Sequence, residues 1–119
     1  MRARRLAATA AVFLMLAGCS APPETPPVVV EANEINGKTV EVPLDGTLYV
    51  ETGDLGVDSY EAEIADESIA TFEQGTYAGD FAYYPSFLPA KVGETEVTMI
   101  NEDGGIQNIE FTLRVTPAP

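Results

Sequence analysis

The sequence predicts an all-β domain, a sandwich or a barrel of short strands. Apolar and polar residues alternate with a period of two along several short segments between residues 28 and 116, which is the pattern of half-buried strands. Turn-forming residues separate these segments at intervals of about 8 to 12 residues. No window shows the apolar stripe of an amphipathic helix.

The predicted strands follow one another in a regular order. A valine-rich run from Val28 to Ile35 ends at Asn36-Gly37, a strong hairpin signal that predicts pairing with the next segment. About 90 residues and about seven strands suit an immunoglobulin-like β-sandwich. The disulfide and the tryptophan usual in that fold are absent, so the core must consist of aliphatic and phenylalanine side chains. The predicted strands are 28–35, 38–42, 47–52, 60–64, 69–72, 94–99 and 109–115.

Composition excludes several classes of function. The chain has 119 residues, enough for one domain, and a formal net charge of -13, which argues against nucleic acid as a partner. It contains no histidine, which excludes a Ser-His-Asp triad and histidine-ligated metals. A single cysteine excludes an internal disulfide and a thiolate zinc site. Binding or structural roles remain.

The first 19 residues have the organisation of an export signal. Arg2, Arg4 and Arg5 precede an apolar run that is too short to span a bilayer, which needs about 20 residues. The run ends in Leu-Ala-Gly-Cys, which resembles the lipobox of bacterial lipoproteins. The resemblance implies cleavage after residue 18 and a lipid on Cys19, which anchors the chain outside the cytoplasmic membrane. The alternative is an ordinary secretory signal followed by an unrelated cysteine.

Three further segments complete the predicted organisation. Residues 19–27 form a lipid-anchored, proline-rich linker, which prefers an extended polyproline conformation. Residues 28–116 form the immunoglobulin-like domain, and 117–119 form a short tail. Cleavage before Cys19 removes three of the six basic residues and no acidic one, so the formal charge becomes -16. Acyl chains, and not a basic patch, must then hold the protein on an anionic membrane.

Two segments carry a resemblance to known immunoglobulin-like families. Asp66–Phe72 and Ala90–Thr98, with the closing run Phe111–Val115, are similar to strands of the second family of bacterial Ig-like domains. More distantly, the order of strands resembles the chagasin-type inhibitors of cysteine proteases. That resemblance implies inhibitory loops, but the corresponding loops read TGDLGVDSY and NEDGGIQN and lack the NPTTG-like and RPW-like segments of the inhibitors.

An aromatic-rich segment is the candidate partner-binding site. Five of the ten aromatic residues fall within eleven positions, interrupted by Gly79 and Pro85. Exposed tyrosine and phenylalanine provide contact area for a peptide or a sugar ring. In the alternative, Phe81 and Tyr83 face the core of a strand. The candidate residues are Tyr77, Phe81, Tyr83, Tyr84 and Phe87.

The acidic residues do not form a recognisable catalytic or metal site. Glutamates at alternate positions on a strand are the pattern of a solvated face, and no EF-hand-like spacing of loop carboxylates is present. The usual bases and nucleophiles of enzymes are also missing, which predicts a protein without catalytic activity, metal or cofactor. Calcium bound by loop carboxylates is the alternative.

Together these features predict a lipid-anchored, extracytoplasmic protein that acts as a non-catalytic binding module for an envelope protein or a cell-wall glycan. One alternative is a chagasin-like cysteine protease inhibitor, which requires loops 53–59 and 101–108 to lie together. The other is a structural spacer or accessory envelope protein that binds no ligand of its own.

Overall fold

A computed structural model describes residues 25–102 and 104–119. The predicted signal peptide (1–18), the lipidated Cys19 and most of the predicted linker lie outside the described residues. Among the described residues, no helix is long and apolar enough to cross a membrane. The strands are β1 Val28–Glu31, β2 Thr39–Pro43, β3 Leu48–Glu51, β4 Tyr60–Ile64, β5 Ala70–Glu73, β6 Thr76–Ala78, β7 Phe81–Tyr83, β8 Ser86–Pro89, β9 Gly93–Asn101 and β10 Ile109–Thr116.

Two four-stranded sheets form the predicted immunoglobulin-like sandwich. One sheet has the order β1-β3-β8-β5 and the other the order β2-β10-β9-β4. The pairs β1–β3 and β2–β10 are parallel, whereas the other pairs within these two sheets are antiparallel. Strands β6 and β7 form a separate two-stranded hairpin. This hairpin and β8, which the alternation pattern did not reveal, raise the count above the predicted seven.

The core lies between the two sheets and follows the predicted alternation. In β10, Ile109, Phe111, Leu113 and Val115 are buried, and the residues between them are exposed or half-buried. The same alternation holds for β3, where the even-numbered residues face inward. The largest buried side chain comes from β8: Phe87 stacks against Phe72 and Phe111, with ring centroids at 5.0 and 5.7 Å. The edge-to-face pair of Phe87 with Phe111 joins the two sheets, and the tilted pair with Phe72 lies within one sheet; both ring arrangements are favourable.

The hairpin predicted at Asn36-Gly37 is wrong. Strand β1 pairs with β3 in one sheet, whereas β2 pairs with β10 in the other, so the chain crosses between sheets at this point. A short 3₁₀ helix, Ala32–Glu34, carries the crossing and buries Ala32, and Ile35 follows it into the core. The Asn36-Gly37 turn binds β10 instead, because Asn36 Oδ1 accepts from the Glu110 N–H and the Gly37 N–H donates to the Glu110 carbonyl.

Arg114 neutralises acidic charge at the centre of one outer sheet face. Its Nε lies 2.6 Å from Glu94 Oε2 and its Nη1 lies 2.7 Å from Glu41 Oε2, on the two strands that flank β10. Both glutamates are its register partners. These bonds, first that to Glu94 and then that to Glu41, raise the Arg114 pKa above its ordinary value. Because the pairs are half exposed, solvent screens them and they contribute little to stability.

Candidate functional site

Three connections meet at one end of the sandwich. The segment 52–59 joins β3 to β4, 74–85 joins β5 to β8 and carries the β6–β7 hairpin, and 102–108 joins β9 to β10. The strand register places them together. The end of β5 pairs with the start of β8 beside the end of β3, and Tyr60 at the start of β4 pairs with Asn101 at the end of β9. We call this end the three-loop end.

Hydrogen bonds connect the three loops directly. The Glu102 N–H donates to the Ser59 carbonyl at 2.8 Å, which joins the first and third loops. The Gln74 side-chain amide reaches both loops, with Nε2 at 2.9 Å from the Asp58 carbonyl oxygen and 3.3 Å from Glu102 Oε1. Gln74 immediately precedes the hairpin region, so its amide ties the base of the hairpin to both neighbouring loops. Loops 53–59 and 101–108 therefore lie together, as the inhibitor alternative requires.

The first loop is held in shape by its own side chains. Thr52 Oγ1 donates to the Leu55 carbonyl at 2.9 Å, and Ser59 Oγ donates to the Gly56 carbonyl at 2.6 Å. Both hydroxyl residues are buried, and Val57 between them is buried as well. Side-chain bonds of this kind satisfy turn carbonyls that would otherwise need water. The loop therefore offers a defined surface on which the hairpin rests.

The β6–β7 hairpin is docked on that first loop. The Val57 N–H donates to the Tyr77 hydroxyl oxygen at 3.2 Å. Nearby, Gly75 is buried so closely that a Cβ atom at its position would lie 2.1 Å from the Val57 carbonyl oxygen. Only glycine allows such an approach of two backbones. One tyrosine hydroxyl and one close backbone approach therefore set where the hairpin projects from the domain.

The hairpin presents its aromatic side chains to solvent. Tyr77, Phe81, Tyr83 and Tyr84 are 58%, 69%, 57% and 41% exposed. The register pairs Tyr83 with Thr76 and Phe81 with Ala78, so Phe81 and Tyr83 share one face and Tyr77 lies on the other. The alternative in which Phe81 and Tyr83 face the core is wrong, because no second layer covers this two-stranded sheet in the described part of the chain. We call Phe81 and Tyr83 the aromatic face; Tyr84, which follows β7 at the base of the hairpin, lies next to it in sequence.

Phe87 does not belong to the candidate surface. It is fully buried in β8, between Phe72 of its own sheet and Phe111 of the opposite one. Pro85 and Ser86, which are also buried, carry the chain from the exposed hairpin back into the sandwich. The aromatic-rich segment thus contains two kinds of residue, and the boundary between them falls after Tyr84. The prediction that Phe87 contacts a partner is wrong, because its side chain is fully buried.

Carboxylates surround the base of the hairpin. The Glu102 carboxyl group lies close to that of Glu61, and this contact, which is favourable when one of the two groups is protonated, raises the pKa of Glu102 above its ordinary value together with partial desolvation and the charge of Glu61. Asp58 contributes further repulsion, whereas the Gln74 amide acts in the opposite direction. The raised pKa of Glu102 reflects repulsion between the carboxylates gathered at this end of the sandwich. The residues described hold no group of three acidic or cysteine side chains placed to bind a metal ion.

Two small clefts lie beside the 3₁₀ helix, one lined in part by the first loop and the other by the third. One, of about 290 Å³, is lined by residues that include Glu31, Glu51 and Asp54. The other, of about 350 Å³, is lined by residues that include Asn36 and Ile106. They share Ala32, Asn33 and Tyr60, and both are at the small end of the range for ligand pockets. The hairpin aromatics line neither cleft, so these residues form a projecting surface and not a pocket wall.

Comparison with known proteins identifies the fold and no family. No protein-family model and no curated protein matches this chain. Among solved structures, the crystal structure of the cysteine protease inhibitor EhICP2 from Entamoeba histolytica is similar, with a TM-score of 0.55 and 14% sequence identity. The match covers 79% of this chain and 99% of the inhibitor. At this identity the likeness shows a shared all-β fold alone, and the lipoprotein and bacterial Ig-like resemblances stay predictions.

Proposed function

We propose that this protein is a non-catalytic binding module whose contact surface is the aromatic face at the three-loop end. The observation that carries the proposal is the exposure of Phe81, Tyr83 and Tyr84 on a hairpin fastened to the domain at its base. Large aromatic side chains on a preorganised element supply much of the energy of protein interfaces at little cost in entropy. In a spacer without a ligand, such exposed aromatic side chains would have no partner to cover them and would favour aggregation.

The same proposal includes a lipid anchor on Cys19, which holds the domain outside the cytoplasmic membrane. Support comes from the sequence: a basic start, a short apolar run and the Leu-Ala-Gly-Cys box. The partner is then a component of the cell envelope, a protein or a cell-wall glycan. The absence of histidine from the whole sequence supports a role without catalysis.

Photo-crosslinking in cells tests this proposal. A photoreactive amino acid at Tyr84 of the lipidated protein is expected to capture one recurring envelope component, identified by mass spectrometry. The control site is Tyr49, which is 37% exposed, close to the 41% of Tyr84, but lies on β3. The double substitution Phe81→Ser and Tyr83→Ser is expected to abolish the crosslink from position 84. It should change the free energy of unfolding by no more than about 0.5 kcal/mol per site, because both side chains are exposed.

Equal crosslinking from positions 84 and 49 would contradict the proposal, since it would indicate random proximity. Absence of any product above background from a folded, membrane-bound protein would support the spacer alternative instead.

A cysteine protease inhibitor is the second candidate function. Two observations favour it: the fold is similar to that of an inhibitor, and the two loops that the hypothesis requires are joined by the bond from Glu102 to Ser59. The test is inhibition of papain by the purified domain. Inhibition at micromolar protein that is lost in the Phe81→Ser/Tyr83→Ser variant would support an inhibitor acting through the three-loop end. No inhibition at that concentration would remove this candidate for papain-like enzymes.

A further inference from the structure

The three loops of the three-loop end carry charge of one sign. The segments 52–59, 74–85 and 102–108 contain acidic residues and no lysine or arginine. Of the basic residues that the structure describes, Arg114 is paired with Glu41 and Glu94, and Lys91 lies beside Asp66 at the other end of β5. The third, Lys38, belongs to none of the three loops but lies at the same end of the sandwich, before β2, where its carbonyl accepts from the Thr112 N–H near the start of β10. The described acids in the three loops or within two residues of them are Glu51, Asp54, Asp58, Glu61, Glu73, Asp80, Glu102 and Glu110.

The aromatic face and these carboxylates occupy adjoining positions. Asp80 lies in the turn of the hairpin, next to Phe81, and Glu73 is the last residue of β5 before the hairpin region. At the base, Gln74 bonds to the Asp58 carbonyl and to Glu102, whose carboxyl group contacts that of Glu61. A partner on the aromatic face therefore lies beside Asp80 and close to the acidic base of the hairpin.

Physical chemistry restricts which partner fits such a surface. An anionic partner, or a second copy of this acidic chain, would add repulsion. A neutral glycan would leave the carboxylates uncompensated on burial, which is costly. A cationic segment relieves the repulsion, and an arginine guanidinium also binds favourably over tyrosine and phenylalanine rings.

On the proposed function as a basis, we infer that the aromatic face binds an arginine- or lysine-rich segment of an envelope protein. The hairpin aromatics contact the apolar stems and guanidinium planes of that segment, and the surrounding carboxylates pair with its charges. The observed juxtaposition is that Asp80 precedes Phe81 in the hairpin turn, Tyr83 pairs with Thr76, and Gln74, two residues before Thr76, reaches Glu102 and the Asp58 backbone.

Peptide binding to the purified domain tests the inference. The probe is a short peptide with arginine at every third position, and its control carries citrulline at the same positions, which preserves shape and removes charge. Fluorescence anisotropy is expected to show the arginine peptide binding at least about tenfold more tightly. Its affinity is expected to fall about tenfold or more between about 50 and 300 mM salt, because exposed charges are screened.

Variants distinguish this surface from general attraction to an acidic protein. The pair Asp58→Asn/Asp80→Asn is expected to weaken binding about fivefold or more, whereas the charge-matched pair Glu63→Gln/Glu67→Gln, on β4 and in the β4–β5 turn, should weaken it less than about twofold. The Phe81→Ser/Tyr83→Ser variant, unchanged in charge, should bind both peptides more weakly and keep only the part of the arginine preference that the carboxylates supply. Equal effects of the two acidic pairs, or equal binding of both peptides, would overturn the inference.

The cellular crosslink distinguishes failure of the cationic-partner inference from failure of the proposed function. A recurring crosslink from Tyr84 to a glycan or to an acidic protein segment would overturn the cationic partner and leave the binding module intact. If the unsubstituted protein gives no recurring crosslink from Tyr84 and binds the two peptides equally, both the cationic partner and the binding module are overturned.

Discussion

Replacing Phe87 with alanine is expected to lower the free energy of unfolding by about 3–5 kcal/mol. The side chain is fully buried, contacts Phe72 of its own sheet and Phe111 of the opposite one, and leaves a cavity between the sheets when it is removed. A domain of this size has about 5–15 kcal/mol of total stability, so the variant is expected to be marginally folded at 37 °C. Urea unfolding followed by circular dichroism measures the change.

Tyr84→Ala is the matched control for this substitution. It removes an aromatic ring three positions away that is 41% exposed, and it should cost no more than about 0.5 kcal/mol. If the two variants lost similar stability, Phe87 would not be the centre of the core and the boundary drawn after Tyr84 would be misplaced.

Replacing Gly75 with alanine is expected to dislodge the β6–β7 hairpin from the first loop. The new methyl group would lie 2.1 Å from the Val57 carbonyl oxygen and 2.8 Å from the Tyr83 carbonyl oxygen, and backbone atoms cannot move aside as a flexible side chain can. We expect a loss of about 1–3 kcal/mol from overpacking. Faster chymotrypsin cleavage at Tyr77 and Phe81 should accompany it, because the hairpin is no longer held against Val57.

Gly79→Ala in the turn of the same hairpin is the control. A Cβ atom there meets nothing within 4 Å, and the only cost is the left-handed backbone, with φ at +60°. That cost is about 1–2 kcal/mol and is confined to the turn. The crosslink from Tyr84 should therefore persist in Gly79→Ala and disappear in Gly75→Ala. Identical cleavage and crosslinking in the two variants would show that the close approach at Gly75 does not position the hairpin.

Alternation along the sequence predicted most of the sandwich because a half-buried strand has a strict period of two. Strands β3, β4, β9 and β10 lie where the pattern places them, and the glutamates at alternate positions, such as Glu61 and Glu63, are exposed. The alternation pattern does not show which strands pair with each other. Asn36-Gly37 has the composition of a hairpin turn, but the buried Ala32 and Ile35 take the chain across to the other sheet.

The sequence predicted which segment contains the candidate site, but not which of its side chains are exposed. Clustering of aromatics identified residues 77–87, whereas the assignment of each ring to core or solvent depends on which strand is covered by a second layer. Local sequence patterns do not predict the loop contacts. Gln74, for example, bonds to Asp58 and Glu102, which lie 16 and 28 positions away from it along the chain.

The sequence by itself determined the chemistry of this protein: its strong negative charge, its lack of histidine and the alternating faces of its strands, all of which are properties of composition and local order. It also carries the prediction of a lipid on Cys19. Only the tertiary structure decided that Phe87 is core and Phe81 and Tyr83 are surface, and that three distant loops meet. Burial and loop contact depend on which strands pair and which layers cover them, and that pairing is set by long-range packing of the whole chain.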